Sequence, residues 1–447
     1  MSLLVRELLG IFAALAAFAL LIGALAFLRK RRHIGPEMSR KLLHIGMGFV
    51  VLTFPWLFPR PWPVLVLSAV FVLLFLGRKV FRRAGSALSD VIDGVGRSSL
   101  GELYFAVSVA VVFLFARGDR MLFVIPMLLL TLPDAVAALI GVRYGQHPYW
   151  TGPNALKSAE GSVAFFAVAV LSVHVPLLLF TPTGRAETLL IACTLALLAM
   201  ILEGIAWRGA DNLLVPLGAF ILLKAFLRLD RGDLAECLAV AAACLAFALI
   251  WRRRSTLDGG AALSAALVLY LAWALGGWRW LIAPATNLVA YAILWPRTER
   301  ERLRGHNTHA VVSVAAAGLV WLFLQQTVGW INFFYSYTLA FAVHLAIIGV
   351  ARLRRVYPEA PTLTLVGTCA AQGWLLLFAP YLAVMGAEKL HLLLAALALP
   401  VVAAAVSAFY ATQPGIRDCP ADLPRWFRQG AYAAVASAAG LLPVLAA

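Results

Sequence analysis

The segment of the sequence best suited to chemistry places a carboxylate and small residues at helical spacing. Asp134, Ala138, Gly141 and Gly145 stand at positions i, i+4, i+7 and i+11, which puts them on one face of a helix. A polar ligand could lie close against such a face. The same spacing is typical of two helices that pack through small residues, so for Gly141 and Gly145 both interpretations stay open.

A cation, hydroxyl groups and a second carboxylate follow after a loop. Lys157 and Ser158 precede the predicted start of the next helix, and its first residues include Glu160, Gly161 and Ser162. A cation beside the free backbone N–H groups of a helix start is typical of phosphate sites. We therefore predict a phosphate site here, with an interfacial anchoring role for Lys157 as the simpler alternative.

Oxygen donors of the kind that Mg²⁺ prefers come later in the chain. Glu203 stands near a predicted helix end, and Asp211 and Asn212 are adjacent before the next apolar run. Together with Asp134 they are the predicted Mg²⁺ ligands. Asp211 or Asn212 could instead cap the following helix, and that alternative stays open.

Further basic residues precede or follow these segments. Arg40, Lys41 and His44 lie within about one helical turn and could contact a nucleotide or lipid phosphate, although basic residues at a span end also act as positive-inside anchors. Arg97 stands in a glycine-containing loop that lacks the spacing of a P-loop. Arg143, near the end of the small-residue face, is predicted to hold phosphate.

These residues lie in a strongly apolar chain. Of its 447 residues, 63% are hydrophobic and 13% are charged, and the mean hydropathy is +0.90. Soluble domains contain about 45–50% apolar and about 25% charged residues, so a soluble enzyme, a disordered chain and a nucleic-acid-binding domain are poor fits. The net charge of +16 instead indicates basic loops that set topology and contact membrane lipids.

Apolar runs long enough to cross a bilayer recur along the chain. We predict an all-α, polytopic membrane helix bundle with about 16 (about 14–16) transmembrane helices. Most of the 37 Lys and Arg residues fall in alternate loops, which places those loops in the cytoplasm and both termini outside. The loops predicted to face the cytoplasm include 29–41, 78–98, 141–160 and 207–211.

A charged linker from Arg252 to Asp258 lies near the middle of the chain. It divides a first membrane domain, residues 1–251, from a second, residues 252–447. Nearly all the polar clusters that could carry chemistry precede the linker, so we expect the active site in the first domain. The second is mainly Ala, Leu and Val with Trp at segment edges, and scaffolding, dimerisation, transport and partner binding all stay open for it.

Taken in order, the clusters resemble those of a known family. The motifs are Arg40-Lys41-x-x-His44, Arg97-x-x-x-Gly101, Asp134-x-x-Ala137-x-x-x-Gly141-x-x-x-Gly145, Lys157-Ser158-x-Glu160-Gly161-Ser162 and Asp211-Asn212-x-x-x-Pro216. Together they resemble the membrane-embedded lipid-alcohol kinases of the phytol kinase and dolichol kinase family, over roughly residues 36–225. A fainter likeness to the phytyl phosphate kinases rests on Leu257-Asp258-Gly-Gly260-Ala261 and Gly276-Gly277-Trp278.

The resemblance implies CTP, or a related pyrimidine nucleotide, as phosphoryl donor and an isoprenoid or similar lipid alcohol as acceptor. It carries the nucleotide site onto Asp134, Lys157, Glu160 and Gly161. The acidic and amide groups of Asp211 and Asn212 would then assist through Mg²⁺. We expect Asp134, Lys157 and Glu160 to be catalytic, in a prokaryotic plasma membrane with the active site facing the cytoplasm.

Two other functions stay open. A phosphatidate cytidylyltransferase could use a similar site, although the basic and acidic signature that such enzymes carry near the C-terminus is absent. A transporter or flippase for a lipid-linked substrate would account for the large number of apolar segments.

Overall fold

The fold is helical almost throughout. The computed structural model describes residues 2–32, 36–80, 100–152, 155–294, 306–328, 331–413 and 422–446. Contacts divide the chain into two compact units, the first formed by Met1–Tyr149 and Ala155–Ala239 and the second by Trp150–Asn154 and Val240–Ala447. The division falls inside a helix, whereas the sequence places the domain boundary at that helix's end.

The first unit contains nine complete helices among its described residues and a part of a tenth. They are α1 (Leu3–Arg32), α2 (Pro36–Leu52), α3 (Phe54–Leu57), α4 (Trp62–Val80), α5 (Gly101–Ala116), α6 (Arg120–Tyr144), α7 (Ala159–Phe180), α8 (Arg185–Ile205), α9 (Asp211–Phe226) and the beginning of α10 (Arg231–Arg252). Between α6 and α7, where the sequence predicts a loop, two short strands pair as β1 (Pro148–Gly152) and β2 (Ala155–Ser158).

The second unit contains the rest of α10 and eight further helices among the residues that the structure describes. They are α11 (Gly259–Gly276), α12 (Trp278–Ile293), α13 (Thr308–Val328), α14 (Phe334–Val356), α15 (Thr362–Met385), α16 (Lys389–Thr412), α17 (Leu423–Ala439) and α18 (Leu441–Ala446).

Ten of the described helices are long and apolar enough to cross a membrane, and three shorter helices are also apolar. The all-α, polytopic membrane fold is therefore confirmed. The figure of about 16 spans stays a prediction.

Within the first unit, local sequence features set where α6 and α7 begin. The Asp119 carboxylate accepts hydrogen bonds from the backbone N–H groups of Met121 and Leu122 at the start of α6. Ser158 accepts one from the N–H of Gly161 at 3.1 Å at the start of α7. Such caps satisfy donors that a helix start leaves open. The two helices pack along each other, with α8 against α7 and α9 against α6.

In the second unit, α14 is the central helix. Every residue from Phe334 to Arg352 is buried, and α12, α13, α15, α16 and α17 pack around it. A close approach to its backbone is at Gly373 of α15, where an added Cβ would lie 2.7 Å from the carbonyl oxygen of Ala342. Glycine is needed there because the neighbouring atom is backbone and has little freedom to move.

We expect Gly373→Ala to destabilise the second unit. Overpacking costs about 1–3 kcal/mol, which exceeds the gain of about 0.5–1 kcal/mol from replacing a helix glycine with alanine. Gly367→Ala in the same helix is the matched control, because a Cβ there meets nothing within 4 Å and only the gain remains. Unfolding midpoints of the full-length protein in detergent micelles measure both. Equal midpoints for the two variants would contradict the close contact.

Candidate functional site

An ion pair between Lys157 and Glu203 lies at the centre of the candidate site. Lys157 Nζ donates hydrogen bonds both to the carboxylate and to the backbone carbonyl of Glu203. Lys157 is near the end of β2, and Glu203 is in the last turn of α8. Their side chains are only 24% and 10% exposed. A lysine removed from water in this way is held as a fixed cation.

Two further carboxylates act on the pair. Asp134 and Asp211 both interact electrostatically with Glu203, and Asp211 also with Lys157. Burial by itself would lower the pKa of Lys157, but the carboxylates of Glu203 and Asp211 outweigh burial and raise it. The ammonium group therefore stays charged at neutral pH, surrounded by more acidic than basic groups.

The structure thus brings together four of the predicted residues, Asp134, Lys157, Glu203 and Asp211, although they lie far apart in sequence. A tight turn between α8 and α9 places two of them near each other. The turn passes through Arg208 and Gly209, which have φ angles of 53° and 85°, and a positive φ is readily adopted by glycine. The backbone N–H of Leu100 donates to the carbonyl of Arg208 at 3.2 Å and ties this turn to the start of α5.

Asn212 also ties the turn before α9 to the start of α5. Its amide Nδ2 donates to the carbonyl oxygen of Gly101 at 2.9 Å. The N-cap position of α9 is Ala210, and no side chain caps this described helix. The alternative in which Asp211 or Asn212 caps α9 is therefore wrong.

The fit of a Mg²⁺ ion depends on the oxygen donors of the predicted set. Glu203 is engaged by Lys157, and the other members of the set are Asp134, Asp211 and the amide oxygen of Asn212. In the described part of the chain, no three His, Cys, Asp or Glu side chains form a cluster that could hold a metal by themselves. Mg²⁺ is usually held by one or two carboxylates together with substrate phosphates and water, so the remaining residues fit such an ion.

Tyr149 is a site residue that the sequence reasoning missed. Its hydroxyl lies 2.6 Å from Ser162 Oγ, and Ser162 Oγ donates to the Ser158 carbonyl at 3.2 Å. Burial raises the pKa of Tyr149, and the Glu203 carboxylate adds to this effect against the opposing influence of Ser162 and Lys157. The phenol therefore stays protonated beside the Lys157 pair. The sequence feature that could have identified Tyr149 is its place in the loop that leads to Lys157.

Glu160 occupies a different position from the one expected of a catalytic partner of Lys157. Its carboxylate accepts from the backbone N–H of His147 at 3.2 and 3.3 Å and lies 2.6 Å from His147 Nδ1. The Ala159 N–H also donates to the His147 carbonyl at 3.0 Å. These bonds fasten the entry of the β1–β2 hairpin to the start of α7.

The glycine face of α6 receives the start of α7. A Cβ added at Gly161 would lie 2.9 Å from the Ala137 carbonyl and 3.4 Å from the Gly141 Cα, and one added at Gly145 would lie 2.9 Å from Ser158 Cβ. The small residues therefore allow two backbones to approach closely, as the helix-packing interpretation expects. This contact fixes the end of β2, and with it Lys157.

The remaining predicted phosphate contacts lie at several places. The His44 ring packs edge to face against Phe105 at 5.4 Å, and Lys41 lies on the same helix α2. Arg143 is exposed at the end of α6, with its guanidinium 5.5 Å from the Tyr144 ring centre. Arg97 and the side chain of Arg40 lie outside the residues that the structure describes.

Comparison with known proteins identifies a relative for about half of the chain. Phytol kinase from Synechocystis sp. (strain ATCC 27184 / PCC 6803 / Kazusa) is 33% identical over 223 residues, which make up 48% of this chain and 93% of the relative. No family model and no solved structure matches. The likenesses to dolichol kinases and to phytyl phosphate kinases stay predictions. Because the match covers nearly the whole relative, the chain belongs to the phytol kinase family.

Proposed function

We propose that this protein is a CTP-dependent kinase that phosphorylates an isoprenoid or related lipid alcohol, of the phytol, geranylgeraniol or polyprenol class. The observation that carries the proposal is the half-buried Lys157 cation beside Glu203, with Asp134 and Asp211 within electrostatic range. The kinship with a phytol kinase supports it.

This arrangement suits phosphoryl transfer, which requires positioning and charge neutralisation more than covalent chemistry. Lys157 would bind the oxygens of the transferred phosphoryl group, and in the free enzyme Glu203 holds the lysine ready in a single position. Asp134 and Asp211 would hold Mg²⁺, which supplies further neutralisation of phosphate charge when bound. Asp134 is also the candidate base for the lipid hydroxyl.

Other residues would act around this centre. Arg143 is exposed and would hold the outer phosphates of the nucleotide, with Arg40, Lys41, His44 and Arg97 as further phosphate contacts. Glu160 is better assigned a positioning role, because its bonds to His147 hold the hairpin that carries Lys157. The protein would lie in a prokaryotic plasma membrane. The alcohol would enter the site from the bilayer, and CTP would enter it from the cytoplasm.

The fate of the CTP label tests the reaction. We expect purified full-length protein, given phytol and γ-labelled CTP with Mg²⁺, to transfer the label to the lipid and release CDP. A cytidylyltransferase, given phosphatidate in place of phytol, would instead leave the label in pyrophosphate and transfer the cytidylyl group (CMP) to the lipid phosphate. Label found only in pyrophosphate would refute the kinase. Failure to consume CTP with any lipid alcohol would favour transport.

Neutralising the central pair tests the site. Removing Lys157 alone leaves the buried Glu203 carboxylate without its partner and is expected to destabilise the fold, so we use the double variant Lys157→Met/Glu203→Gln, which keeps shape and removes both charges. Turnover should fall by about 10²–10³-fold, the usual effect of losing one group that stabilises transition-state charge.

The control for this experiment is Lys224→Ala, because Lys224 is an exposed lysine on α9. It should retain wild-type turnover. The melting temperature of each variant separates lost chemistry from lost structure. A folded double variant with full activity would exclude Lys157 from the reaction.

Orientation is tested with single cysteines at the two ends of α7. Gln146 precedes the β1–β2 hairpin and Arg185 follows the far end of α7, and both are exposed. In a background without native cysteines, Gln146→Cys should react with a membrane-impermeant maleimide only from the cytoplasmic side, and Arg185→Cys only from the opposite side. The reverse pattern would deny CTP access to Lys157.

A further inference from the structure

A cavity in the second unit lies where four helices end or begin. It is lined by the end of α11, the first turn of α12, the end of α13 and the residues just before α14. Its volume is about 380 Å³, within the range of about 300–1,000 Å³ that is usual for small-molecule sites. The space is therefore large enough for an organic ligand.

Three amide side chains supply the polar part of the lining. Gln325 and Gln326 lie near the end of α13, and Asn332 lies just before α14. Gln325 is half-buried, and the other two are exposed. The described residues that line the cavity include no charged side chain. The lining therefore suits an uncharged polar ligand.

Each amide is oriented by a bond to the backbone. The N–H of Phe333 donates to Gln325 Oε1 at 2.9 Å, and the N–H of Phe334 donates to Asn332 Oδ1 at 3.0 Å. Gln326 Nε2 donates to a backbone carbonyl at the end of α11. A backbone N–H bonds only to the oxygen of an amide side chain, and a carbonyl only to its nitrogen. These partners therefore determine which way each amide is turned.

The other end of each amide is left for a ligand. Gln325 Nε2 and Asn332 Nδ2 are donors and Gln326 Oε1 is an acceptor, and none of the three forms a hydrogen bond within the described part of the chain. A carboxylate only accepts and an ammonium group only donates, so neither matches the whole set. A hydroxyl group does both, so a ligand with several hydroxyl groups satisfies all three amides.

The aromatic wall of the cavity is held in place by packing. The ring centre of Trp280 lies 4.6 Å from that of Tyr337 and 5.3 Å from that of Phe334. The Trp280 carbonyl also accepts a hydrogen bond from the Tyr337 hydroxyl at 2.7 Å. A Cβ at Gly276 would lie 2.3 Å from Trp280 Cγ, so glycine is needed for the ring to lie there. A fixed indole beside polar groups is a surface against which the C–H groups of a sugar ring pack.

The position of the cavity along the helices indicates the source of the ligand. The helices α11, α13 and α14 are each long and apolar enough to cross a membrane, so their ends lie near the level of the lipid headgroups. Trp278, the first residue of α12, is 61% exposed, and tryptophan is enriched at that level. The cavity is therefore within reach of the headgroup of a membrane lipid.

We propose that this cavity binds the uncharged sugar headgroup of a glycolipid. The hydroxyl groups of the sugar bond to Gln325, Gln326 and Asn332, its ring packs against Trp280, and its lipid chain stays in the bilayer. The inference goes beyond the proposed function and does not depend on it. Binding is measured without a nucleotide or a lipid alcohol, so the outcome can be interpreted even if the kinase assay fails.

The test measures binding of radiolabelled n-dodecyl β-D-glucoside and n-dodecyl β-D-galactoside to the full-length protein. The protein is purified in a detergent without sugar and placed in phosphatidylcholine nanodiscs, and empty nanodiscs measure partition into the lipid alone. At least one glycoside should bind saturably above this blank. Because no charged group takes part, the affinity should not change with salt concentration. Absence of saturable binding by both glycosides would overturn the proposal.

The variants Gln325→Glu and Asn332→Asp test the amide donors. Each change keeps the oxygen that accepts the backbone N–H and replaces the free NH₂ group with an oxygen that cannot donate. Each should weaken glycoside binding by about threefold to tenfold, the usual effect of losing one hydrogen bond. Wild-type affinity in both variants would overturn the assignment of the cavity.

Asn307→Asp is the matched control. Asn307 precedes the other end of α13, and it is not among the described residues that line the cavity. Its Oδ1 also accepts from backbone N–H groups, at 3.1 and 3.4 Å, so the chemical change is the same. This variant should bind the glycosides as the wild type does, and melting temperatures establish that all variants are folded. An equal loss of affinity in the control would contradict a role for the two cavity amides.

Competition defines the ligand. Methyl β-D-glucoside and methyl β-D-galactoside carry the sugar without a lipid chain, whereas n-dodecyl phosphocholine carries the chain with a charged headgroup. Each should displace the label less well than the dodecyl glycosides do. Equal displacement by n-dodecyl phosphocholine would overturn the sugar assignment, and equal displacement by the methyl glycosides would overturn the assignment of a lipid.

Discussion

The free-energy cost of placing charged groups in an apolar environment is the constraint on which the rest of this structure depends. An ionisable side chain in such a chain needs a partner or a polar cavity. In the first unit the constraint is met by pairing, because Lys157 bonds to the end of α8 through both the carboxylate and the backbone carbonyl of Glu203. The position of the lysine is thereby coupled to the position of a helix terminus.

Several local features of the first unit support that pair. The glycine contact between α6 and α7 fixes the end of β2, and the bonds of Glu160 to His147 hold the beginning of the hairpin. The turn before α9 brings in Asp211, while α6 carries Asp134. Each feature is weak alone, but together they give one lysine a defined position among three carboxylates. Such preorganisation of charge is the property that phosphoryl transfer exploits.

Much of this arrangement could be predicted from the sequence, because ionisable residues are rare in an apolar chain and each one is conspicuous. Asp134, Lys157 and Asp211 were identified on that basis, as was the all-α membrane fold. The partner of Lys157 could not be predicted, because the carboxylate of Glu203 is also typical of a metal ligand. Only the fold shows which cation it contacts. Tyr149 and the short hairpin were missed because a few residues between helices have no periodicity to reveal their structure.

In the second unit, the sequence does not predict which polar residues lie close together. The residues that line another cavity in this unit are spread from Leu257 to Gln429, and an arginine near a helix end resembles an ordinary topological anchor. Only the packing of α14 and α17 shows that Arg352 and Arg425 line the same cavity.

The complete burial of α14 also bears on how the protein is made. This helix carries polar groups such as His344, Thr338 and Arg352 on a surface that neighbouring helices cover on all sides. During synthesis it leaves the ribosome before α15, α16 and α17, so these groups face lipid or the insertion machinery until their covering helices arrive. The native core of the second unit therefore forms only after α17 has been synthesised, and membrane chaperones would encounter an incomplete chain with α14 still uncovered.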